Sequence, residues 1–111
     1  MEGSLEVSIK QCRGVPVVSA RGELDVATVP QLAAALGGLG EDVARVVVDL
    51  ADVTFVDSSG LGALIAARVR PGGARTVAIV SDRPAVVRAF AITSLDSIFP
   101  IHSTLDAALA P

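Results

Sequence analysis

The sequence predicts a single α/β domain, residues 1–111, in which about four helices pack on a mixed, mostly parallel sheet of about four to five strands. Three observations support this prediction. The chain opens with two consecutive strand patterns, its centre joins a buried strand pattern to a helical one, and strand and helix patterns alternate from there to the C-terminus. At 111 residues, the chain is long enough to bury one core without disulfides or metals.

The first two strands are predicted to form a hairpin. Apolar and polar residues alternate from Leu5 to Lys10, which is the period of a half-buried strand. Arg13-Gly14 interrupts this pattern, and Val15 to Arg21 predicts the second strand. We expect that strand to end in a polar loop formed by residues 22–25, Gly-Glu-Leu-Asp.

A first helix is predicted after this loop. Thr28 is a candidate N-cap, and Pro30 lies just inside the helix, where its missing N–H costs little. Gly37-Gly38 ends the helical pattern. The apolar residues at helical spacing are Val29, Leu32, Ala33 and Leu36.

The central stretch, residues 45–70, joins a strand to a helix. Val46 to Leu50 is a mainly β-branched run of the length of one buried strand. Serine at a helix start accepts a hydrogen bond from an unpaired backbone N–H, so Ser58 and Ser59 are candidate caps, and Ser59 fits that role better. Pro71 to Gly73 ends the unit. The apolar residues at helical spacing are Leu61, Leu64, Ile65 and Val69.

The C-terminal third continues the alternation. Arg75 to Val80 predicts a strand, and Asp82 is the candidate cap of a helix that begins at about Arg83. Ile98 to His102 is a weaker strand pattern, confined by Pro100 to an edge of the sheet. Residues 103–106, Ser-Thr-Leu-Asp, resemble a capping box that opens a last helix. The side chains expected to face inward from the third helix are Val86, Val87 and Phe90.

Charge and composition argue against several kinds of function. The formal net charge is −3 and the only aromatic residues are three Phe, so neither a nucleic-acid surface nor a stacking platform is predicted. Acidic residues interrupt the longest apolar stretch, so we expect no direct insertion into a membrane. The first residues carry no secretory signal pattern, and a cytoplasmic location is the expectation. The arginines at 68, 70, 75, 83 and 88 are interpreted as solvated helix faces and turns.

The chain has too few cysteine and histidine residues for a structural metal site. Cys12 is its only cysteine, which excludes an internal disulfide, and with one histidine it cannot form a Cys/His metal site. Cys12 lies in a polar stretch, so an incidental exposed thiol and a redox role both remain open. No phosphate-binding loop or dinucleotide motif is present, and no cofactor is predicted.

Two motifs resemble those of a known family. Residues 48–62, Val-Asp-Leu-Ala-Asp-Val-Thr-Phe-Val-Asp-Ser-Ser-Gly-Leu-Gly, are similar to the signature of STAS domains, and most closely to that of bacterial anti-sigma factor antagonists. Residues 22–30, Gly-Glu-Leu-Asp-Val-Ala-Thr-Val-Pro, resemble the second marker of the same family. The resemblance covers nearly the whole chain and weakens after Arg70. It implies the STAS fold, which agrees with the alternation of strands and helices.

The resemblance also implies a mechanism and a set of partners. In the family, the unphosphorylated protein binds an anti-sigma factor and thereby frees a sigma factor. The anti-sigma factor is commonly an ATP-dependent serine kinase that phosphorylates the first serine after the aspartate, here Ser58, and is thereby released. A PP2C-type phosphatase reverses the modification. The resemblance therefore implies a regulatory substrate with no catalytic residues of its own.

The remaining site residues are carried over from the two motifs. Each also has a local interpretation: Glu23 and Asp25 as a solvated loop, Asp57 as an aspartate bonded to local backbone, and Thr28 as a cap instead of a contact. Gly60 and Gly62 are interpreted as allowing close packing at the helix start. The residues implied to bind the partner are Glu23, Asp25, Asp57, Ser59, Gly60 and Leu61.

Two other functions remain as alternatives. One is a STAS subunit of a membrane-associated transport complex, in which the serine is a contact and not a phosphorylation site. The other is a small hydrolase that uses Ser58 or Ser59 with His102, although the sequence lacks the Gly-x-Ser-x-Gly nucleophile elbow. The helix after Gly62 is shorter than is usual in the family, which bears on the choice of partner more than on the fold.

Overall fold

The computed structural model describes residues 4–111, which form an α/β fold built on one mixed sheet. The main sheet has five strands in the order β1-β2-β3-β6-β7; β1 is antiparallel to β2 and every other neighbouring pair is parallel. Four α-helices are present in the part of the chain that the structure describes, so the predicted fold class is confirmed. The strands are β1 (Leu5–Cys12), β2 (Val15–Leu24), β3 (Arg45–Val56), β4 (Val69–Arg70), β5 (Gly73–Ala74), β6 (Thr76–Val80) and β7 (Ile101–His102). The helices are α1 (Val29–Gly37), α2 (Ser58–Ala67), α3 (Pro84–Ile92), a 3₁₀ turn (Leu95–Ser97) and α4 (Leu105–Leu109).

The N-terminal hairpin is present as predicted, although its second strand is longer. Arg13 and Gly14 have φ values of 54° and 78°, the left-handed pair that a two-residue hairpin turn requires. β2 does not end at Arg21 but continues to Leu24. The prediction of a polar loop at residues 22–25 was therefore wrong for the first three positions, because they pair with the far half of β3.

β3 is the longest strand and positions the site described below. It has 12 residues, whereas the apolar run predicted only residues 46–50. Its pairing with β2 shifts register twice, between Ser19 and Arg21 and between Gly22 and Glu23, and each time β3 contributes one extra residue. Asp49 stabilises the first irregularity by accepting a hydrogen bond from the Ala51 N–H at 3.0 Å. The second half of β3 could not be predicted from the sequence, because the bulges break the alternation of buried and exposed residues.

The two faces of the sheet are covered unequally. One face carries the larger core, to which Val48 belongs, and α1, α2 and α3 contribute buried residues to it. The other face carries a smaller core that includes Val47 and is covered by α4, whose Ala108 and Leu109 are buried. Cys12 is partly buried at the margin of this smaller core, so it is not the fully exposed thiol that its polar neighbours suggested.

Several side chains that the helical spacing placed in the core are exposed. Val69 is 74% exposed because α2 ends at Ala67 and Val69 belongs to the small β4–β5 pair. Ile65 and Val87 are 41% and 36% exposed, and Ala33 is also exposed. Gly60 lets the first turn of α2 approach Leu24 closely, so the buried face of α2 includes two small residues beside the predicted Leu61 and Leu64. The buried residues of α2 are Gly60, Leu61, Leu64 and Ala67.

The helix caps also differ from the prediction. Asp82 does not cap α3; the Ser81 hydroxyl accepts the hydrogen bond from the Arg83 N–H at 3.2 Å. In α4 the N-cap is Thr104, one residue after the predicted Ser103, and its hydroxyl accepts from the Ala107 N–H at 3.2 Å. β7 is an edge strand, as predicted, but it is only two residues long.

Candidate functional site at the start of helix α2

The ends of β2 and β3 bring the two sequence motifs together. Leu24 and Val56 are paired at the last position of the ladder, and the Asp57 N–H donates to the Leu24 carbonyl at 3.1 Å. The loop that begins at Asp25 therefore lies beside the first turn of α2, although Asp25 and Ser58 are 33 positions apart in the chain. Parallel pairing causes this proximity, because the carboxyl ends of parallel neighbours lie at the same edge of a sheet.

Asp57 is the N-cap of α2. Its backbone is extended, and one carboxylate oxygen, Oδ1, accepts hydrogen bonds from the Ser59 N–H at 2.9 Å and the Gly60 N–H at 3.3 Å. The prediction that a serine caps this helix was therefore wrong. Ser58 and Ser59 occupy the first two positions inside the helix, where a serine hydroxyl is not needed to satisfy the terminal N–H groups.

Because Asp57 caps the helix, the Ser58 side chain is not required for the fold. Ser58 is exposed, and its hydroxyl forms no hydrogen bond within residues 4–111. Ser59, by contrast, is half-buried. The Asp57 carboxylate is directed at the helix N–H groups, so the structure does not show it orienting the Ser58 hydroxyl.

Gly60 and Leu61 hold α2 against the sheet. A Cβ atom on Gly60 would lie 2.6 Å from Leu24 Cγ and 2.8 Å from Leu24 Cδ2, so only glycine permits this approach. Leu61 is 6% exposed and belongs to the main core. A partner docked on this surface therefore cannot contact these two residues extensively, and their contribution is to position the helix. Gly62 differs, because nothing lies within 4 Å of the Cβ it would carry.

The loop between β2 and α1 is held by its own side chains. Asp25 Oδ1 accepts from the Ala27 N–H at 3.0 Å and the Thr28 N–H at 3.1 Å. The Thr28 hydroxyl donates to the Glu23 carbonyl at 2.7 Å and accepts from the Asp25 N–H at 3.0 Å. Thr28 is thus at the N-cap position, but its buried side chain fastens the loop and does not cap α1. Glu23 is exposed and Asp25 is half-buried.

Two exposed apolar residues lie within these motifs and were not predicted as part of the site. Val26 is 73% exposed in the loop after β2, and Phe55 is 48% exposed and lies beside Glu23 in the β2–β3 ladder. Large exposed apolar side chains near a candidate site are typical of a protein-binding surface. A signal for Val26 exists in the sequence, since it falls in a short polar turn. Phe55 has no such signal, because a register shift determines which way it points.

Arg75 fixes the opposite end of α2. It is 6% exposed, and its guanidinium donates to the Ala67 carbonyl at 3.0 Å, the Val43 carbonyl at 2.8 Å and the Gly40 carbonyl at 3.1 Å. The interpretation of Arg75 as a solvated turn residue was therefore wrong. A cation at this position also complements the negative end of the helix dipole.

A cleft near Arg75 is separate from the Ser58 surface. It has a volume of about 310 Å³ and lies between α1, the second half of α2 and the β4–β5 pair. Its walls include Leu36, Ala66 and Arg70, and no residue of the two motifs lines it. The site at the start of α2 is thus an open surface and not a pocket.

The structure does not assemble the serine-hydrolase arrangement. His102 pairs with Val80, which in turn pairs with Asp49 of β3. Ser58 comes nine residues after Asp49, and at about 3.3 Å per strand residue it lies roughly 20 Å or more away. His102 is therefore not within reach of the Ser58 hydroxyl.

Within residues 4–111, no cluster of three or more His, Cys, Asp or Glu side chains could hold a metal ion. None of the helices in this range has the length and apolar character needed to cross a membrane.

The family model and the curated proteins that the chain matches all indicate the same family. The model of the STAS domain matches residues 6–108. The chain is 32% identical to the anti-sigma-F factor antagonist RsfB of Mycobacterium tuberculosis over 107 residues, which cover 96% of this chain and 88% of that protein. It is 33% identical to the anti-sigma-B factor antagonist of Bacillus subtilis over 103 residues, which cover 90% of this chain and 93% of that protein.

Solved structures share the same architecture. The crystal structure of an anti-sigma factor antagonist from Mycobacterium paratuberculosis superposes with a TM-score of 0.86 at 36% identity, covering 96% of this chain and 92% of that one. A STAS domain protein from Planctomyces limnophilus superposes with a TM-score of 0.78 at 24% identity, covering 93% of each chain, and supports the fold alone. The match of the domain model across both motifs, together with these identities, shows that the chain belongs to the STAS domain family.

Proposed function

We propose that the protein is an anti-sigma factor antagonist whose binding to its partner is switched by phosphorylation of Ser58. The observation that carries the proposal is the exposed Ser58 hydroxyl, which is free of hydrogen bonds within residues 4–111 and adjoins the Asp25 loop. The names of the relatives support the class of protein. In its unphosphorylated form the protein binds an anti-sigma factor and releases a sigma factor. These proteins act in the cytoplasm.

Phosphorylation at this position changes the surface and not the fold. It adds roughly −1.5 to −2 charges at pH 7 and a bulky group to an exposed side chain. The N-terminus of α2 partly stabilises the added charge, whereas the carboxylates of Asp57 and Asp25 repel it. A partner in contact with Ser58 would have to accommodate both the volume and the charge, so the complex dissociates.

The partner is an anti-sigma factor that is itself an ATP-dependent serine kinase. The protein acts as its substrate, and the nucleotide is bound by the partner. A PP2C-type phosphatase removes the phosphate and restores binding. The residues proposed for contact are Glu23, Asp25, Asp57, Ser59 and the exposed apolar pair Val26 and Phe55, with Gly60 and Leu61 supporting the helix.

The test combines a kinase assay with a binding assay. Candidate anti-sigma factor kinases are incubated with ATP and the protein, and the phosphorylated residue is mapped by mass spectrometry. We expect phosphate on Ser58, no labelling of Ser58→Ala with retained partner binding, and weakened binding of Ser58→Asp. Ser103→Ala, at an exposed serine before α4 and away from the two motifs, is the matched control and should be labelled normally. Labelling that survives in Ser58→Ala, or equal binding with and without phosphate at Ser58, contradicts the proposal.

A further inference from the structure

The outer edge of β1 is a long, regular strand edge. β1 pairs with β2 without any register shift, from Leu5 opposite Gly22 to Cys12 opposite Val15. Within residues 4–111, no strand pairs with the other side of β1. The eight residues of β1 include neither proline nor a bulge, two features by which many proteins prevent pairing at an exposed edge. A third such feature, charged side chains, is present at Glu6 and Lys10, so a partner strand must place opposite charges against them. β1 can therefore accept a further strand.

The hydrogen-bond pattern shows which groups this edge offers. The Glu23 N–H donates to the Ser4 carbonyl at 3.3 Å, so these opposite residues form a hydrogen-bonded pair of the antiparallel ladder. Because such pairs alternate, Glu6, Ser8 and Lys10 direct their N–H and C=O groups towards β2. The residues whose backbone groups point outwards are Leu5, Val7, Ile9 and Gln11.

The side chains of this edge complement their own reversed order. Glu6 and Lys10 are exposed on one face of the sheet, where the Glu6 carboxylate also lies 4.0 Å from the Arg21 guanidinium of its own chain. Val7 and Ile9 lie on the other face, where Ile9 is 50% exposed. In an antiparallel pair of two β1 strands centred on Ser8, Glu6 of each copy lies opposite Lys10 of the other. Val7 then lies opposite Ile9, with their outward N–H and C=O groups facing each other.

Other registers lack this match. Centring the pair on Val7 places Glu6 opposite Ser8, and centring it on Ile9 places Glu6 opposite Cys12, so both charge pairs are lost. If the register shifts by one residue, each residue with outward backbone groups lies opposite a residue whose groups are already bonded to β2. No hydrogen bonds can then form between the two copies. Only the register centred on Ser8 satisfies the backbone and both pairs of charges.

We propose that two copies of the chain associate through β1 in this register, which joins their sheets into one continuous ten-stranded sheet. The charged and the apolar side chains of β1 are self-complementary about Ser8, which supports this pairing. The inference does not depend on the function of Ser58, since no residue of β1 belongs to that site.

Charge reversal tests the register. Each single variant, Glu6→Lys or Lys10→Glu, places two pairs of like charges opposite each other in the proposed dimer. Its dimerisation should be at least about tenfold weaker than that of the unaltered chain, as measured by sedimentation velocity. A mixture of the two variants should form heterodimers, and the double variant should regain the homodimer, because opposite charges face each other again. Arg88→Glu on α3 is a matched surface control and should behave as the unaltered chain. A chain that stays monomeric at all concentrations, or a dimer unaffected by the single reversals, overturns the proposal.

A disulfide provides an independent test. Ser8 would face Ser8 of the second copy as a non-hydrogen-bonded pair, with Cα atoms about 4.5 Å apart, which is within the range for a disulfide. In a Cys12→Ser background, Ser8→Cys should form an intermolecular disulfide on mild oxidation. Lys10→Cys in the same background is the control and should not, because Glu6 lies opposite it. Equal cross-linking of the two variants contradicts the register.

Discussion

At the scale of single residues, Asp57 and Ser58 differ in their structural roles: Asp57 caps α2, and Ser58 is exposed in its first turn. Asp57 satisfies the terminal N–H groups of α2, which leaves the Ser58 hydroxyl without a structural task. The proposed phosphorylation of Ser58 would therefore break no hydrogen bond within residues 4–111. The aspartate that precedes the serine is thus part of the fold, and the serine itself is available for function.

The cap can be tested by substitution. Asp57→Ala should lower the free energy of unfolding by about 1 kcal/mol, because two N–H groups of α2 lose their acceptor. Urea denaturation measures this change. Asp57→Asn is the matched control and should be much less harmful, since an amide oxygen caps almost as well. Equal loss in both variants would show that the charge of Asp57 matters and not its hydrogen bonds.

The exposed phenylalanine should matter for binding and not for stability. Phe55 is 48% exposed beside Glu23, so Phe55→Ala should weaken partner binding by about 2 kcal/mol, the typical effect of an aromatic anchor in an interface. Isothermal titration with the cognate anti-sigma factor measures the effect. Val69→Ala is the control, because Val69 is 74% exposed but lies after the other end of α2. A similar loss in both variants would remove Phe55 from the proposed contact surface.

At the scale of secondary-structure elements, α2 is fixed at both ends. Glycine lets its first turn contact Leu24, the Asp57 carboxylate caps its start, and the Arg75 guanidinium binds the Ala67 carbonyl at its end. Because the helix cannot shift easily, the position of Ser58 relative to the Asp25 loop is set by the fold. The exposed surface is therefore already formed before a partner binds.

The two glycines of α2 should respond in opposite directions to the same change. Gly60→Ala should destabilise the protein by about 1–3 kcal/mol, because the added Cβ overlaps Leu24. Gly62→Ala should stabilise it by about 0.5–1 kcal/mol, since its site is open and alanine favours the helix. Thermal or urea unfolding of the two variants provides the comparison. Destabilisation of similar size in both would contradict the packing described for the first turn.

The buried Arg75 should stabilise the protein through its hydrogen bonds at the C-terminal end of α2. Arg75→Met removes three hydrogen bonds to backbone carbonyls and should cost about 3 kcal/mol of stability. Arg88→Met, on the exposed side of α3, is the control and should change stability by less than about 0.5 kcal/mol. Equilibrium unfolding distinguishes the two. An Arg75→Met variant as stable as the control would show that water replaces the guanidinium.

At the scale of the whole molecule, the site lies at the end of the two longest strands, β2 and β3, where α2 begins. The last pair between β3 and β6 is Asp49 with Val80. β2 and β3 continue to pair beyond this point as far as Leu24 and Val56, so the two motifs lie away from the main body of the sheet. The site is an exposed end of the fold and is connected to the core through Leu24, Val56 and Leu61. Modification there should leave the core unchanged.

The stability of the whole domain should change little when Ser58 carries a negative charge. Ser58→Asp, or enzymatic phosphorylation of Ser58, should change the free energy of unfolding by less than about 1 kcal/mol, because attraction to the helix N-terminus offsets repulsion by Asp57. Urea denaturation and the backbone NMR spectrum measure this directly. Chemical-shift changes confined to α2 and the Asp25 loop agree with a surface switch. Loss of core signals would instead indicate that phosphate acts by unfolding the domain.

The fold class, the order of the elements and the two motifs of the site can be predicted from the amino-acid sequence alone. Alternation in β1, the apolar run at residues 46–50 and the glycine and proline stops are local signals, because each depends on neighbours in the chain. The motif containing Ser58 identified the candidate serine through its family resemblance. It did not identify the residue that caps the helix, because aspartate and serine compete for that position on nearly equal terms.

The burial of individual side chains and the length of the strands depend instead on contacts between distant parts of the chain. The far half of β3 exists because β2 pairs with it, and its bulges erase the alternation that would have predicted it. Arg75 is buried because three carbonyls from two other segments surround it, and nothing in the neighbouring residues specifies that arrangement. Long-range pairing fixes these features, whereas a pattern in the sequence records only local preference.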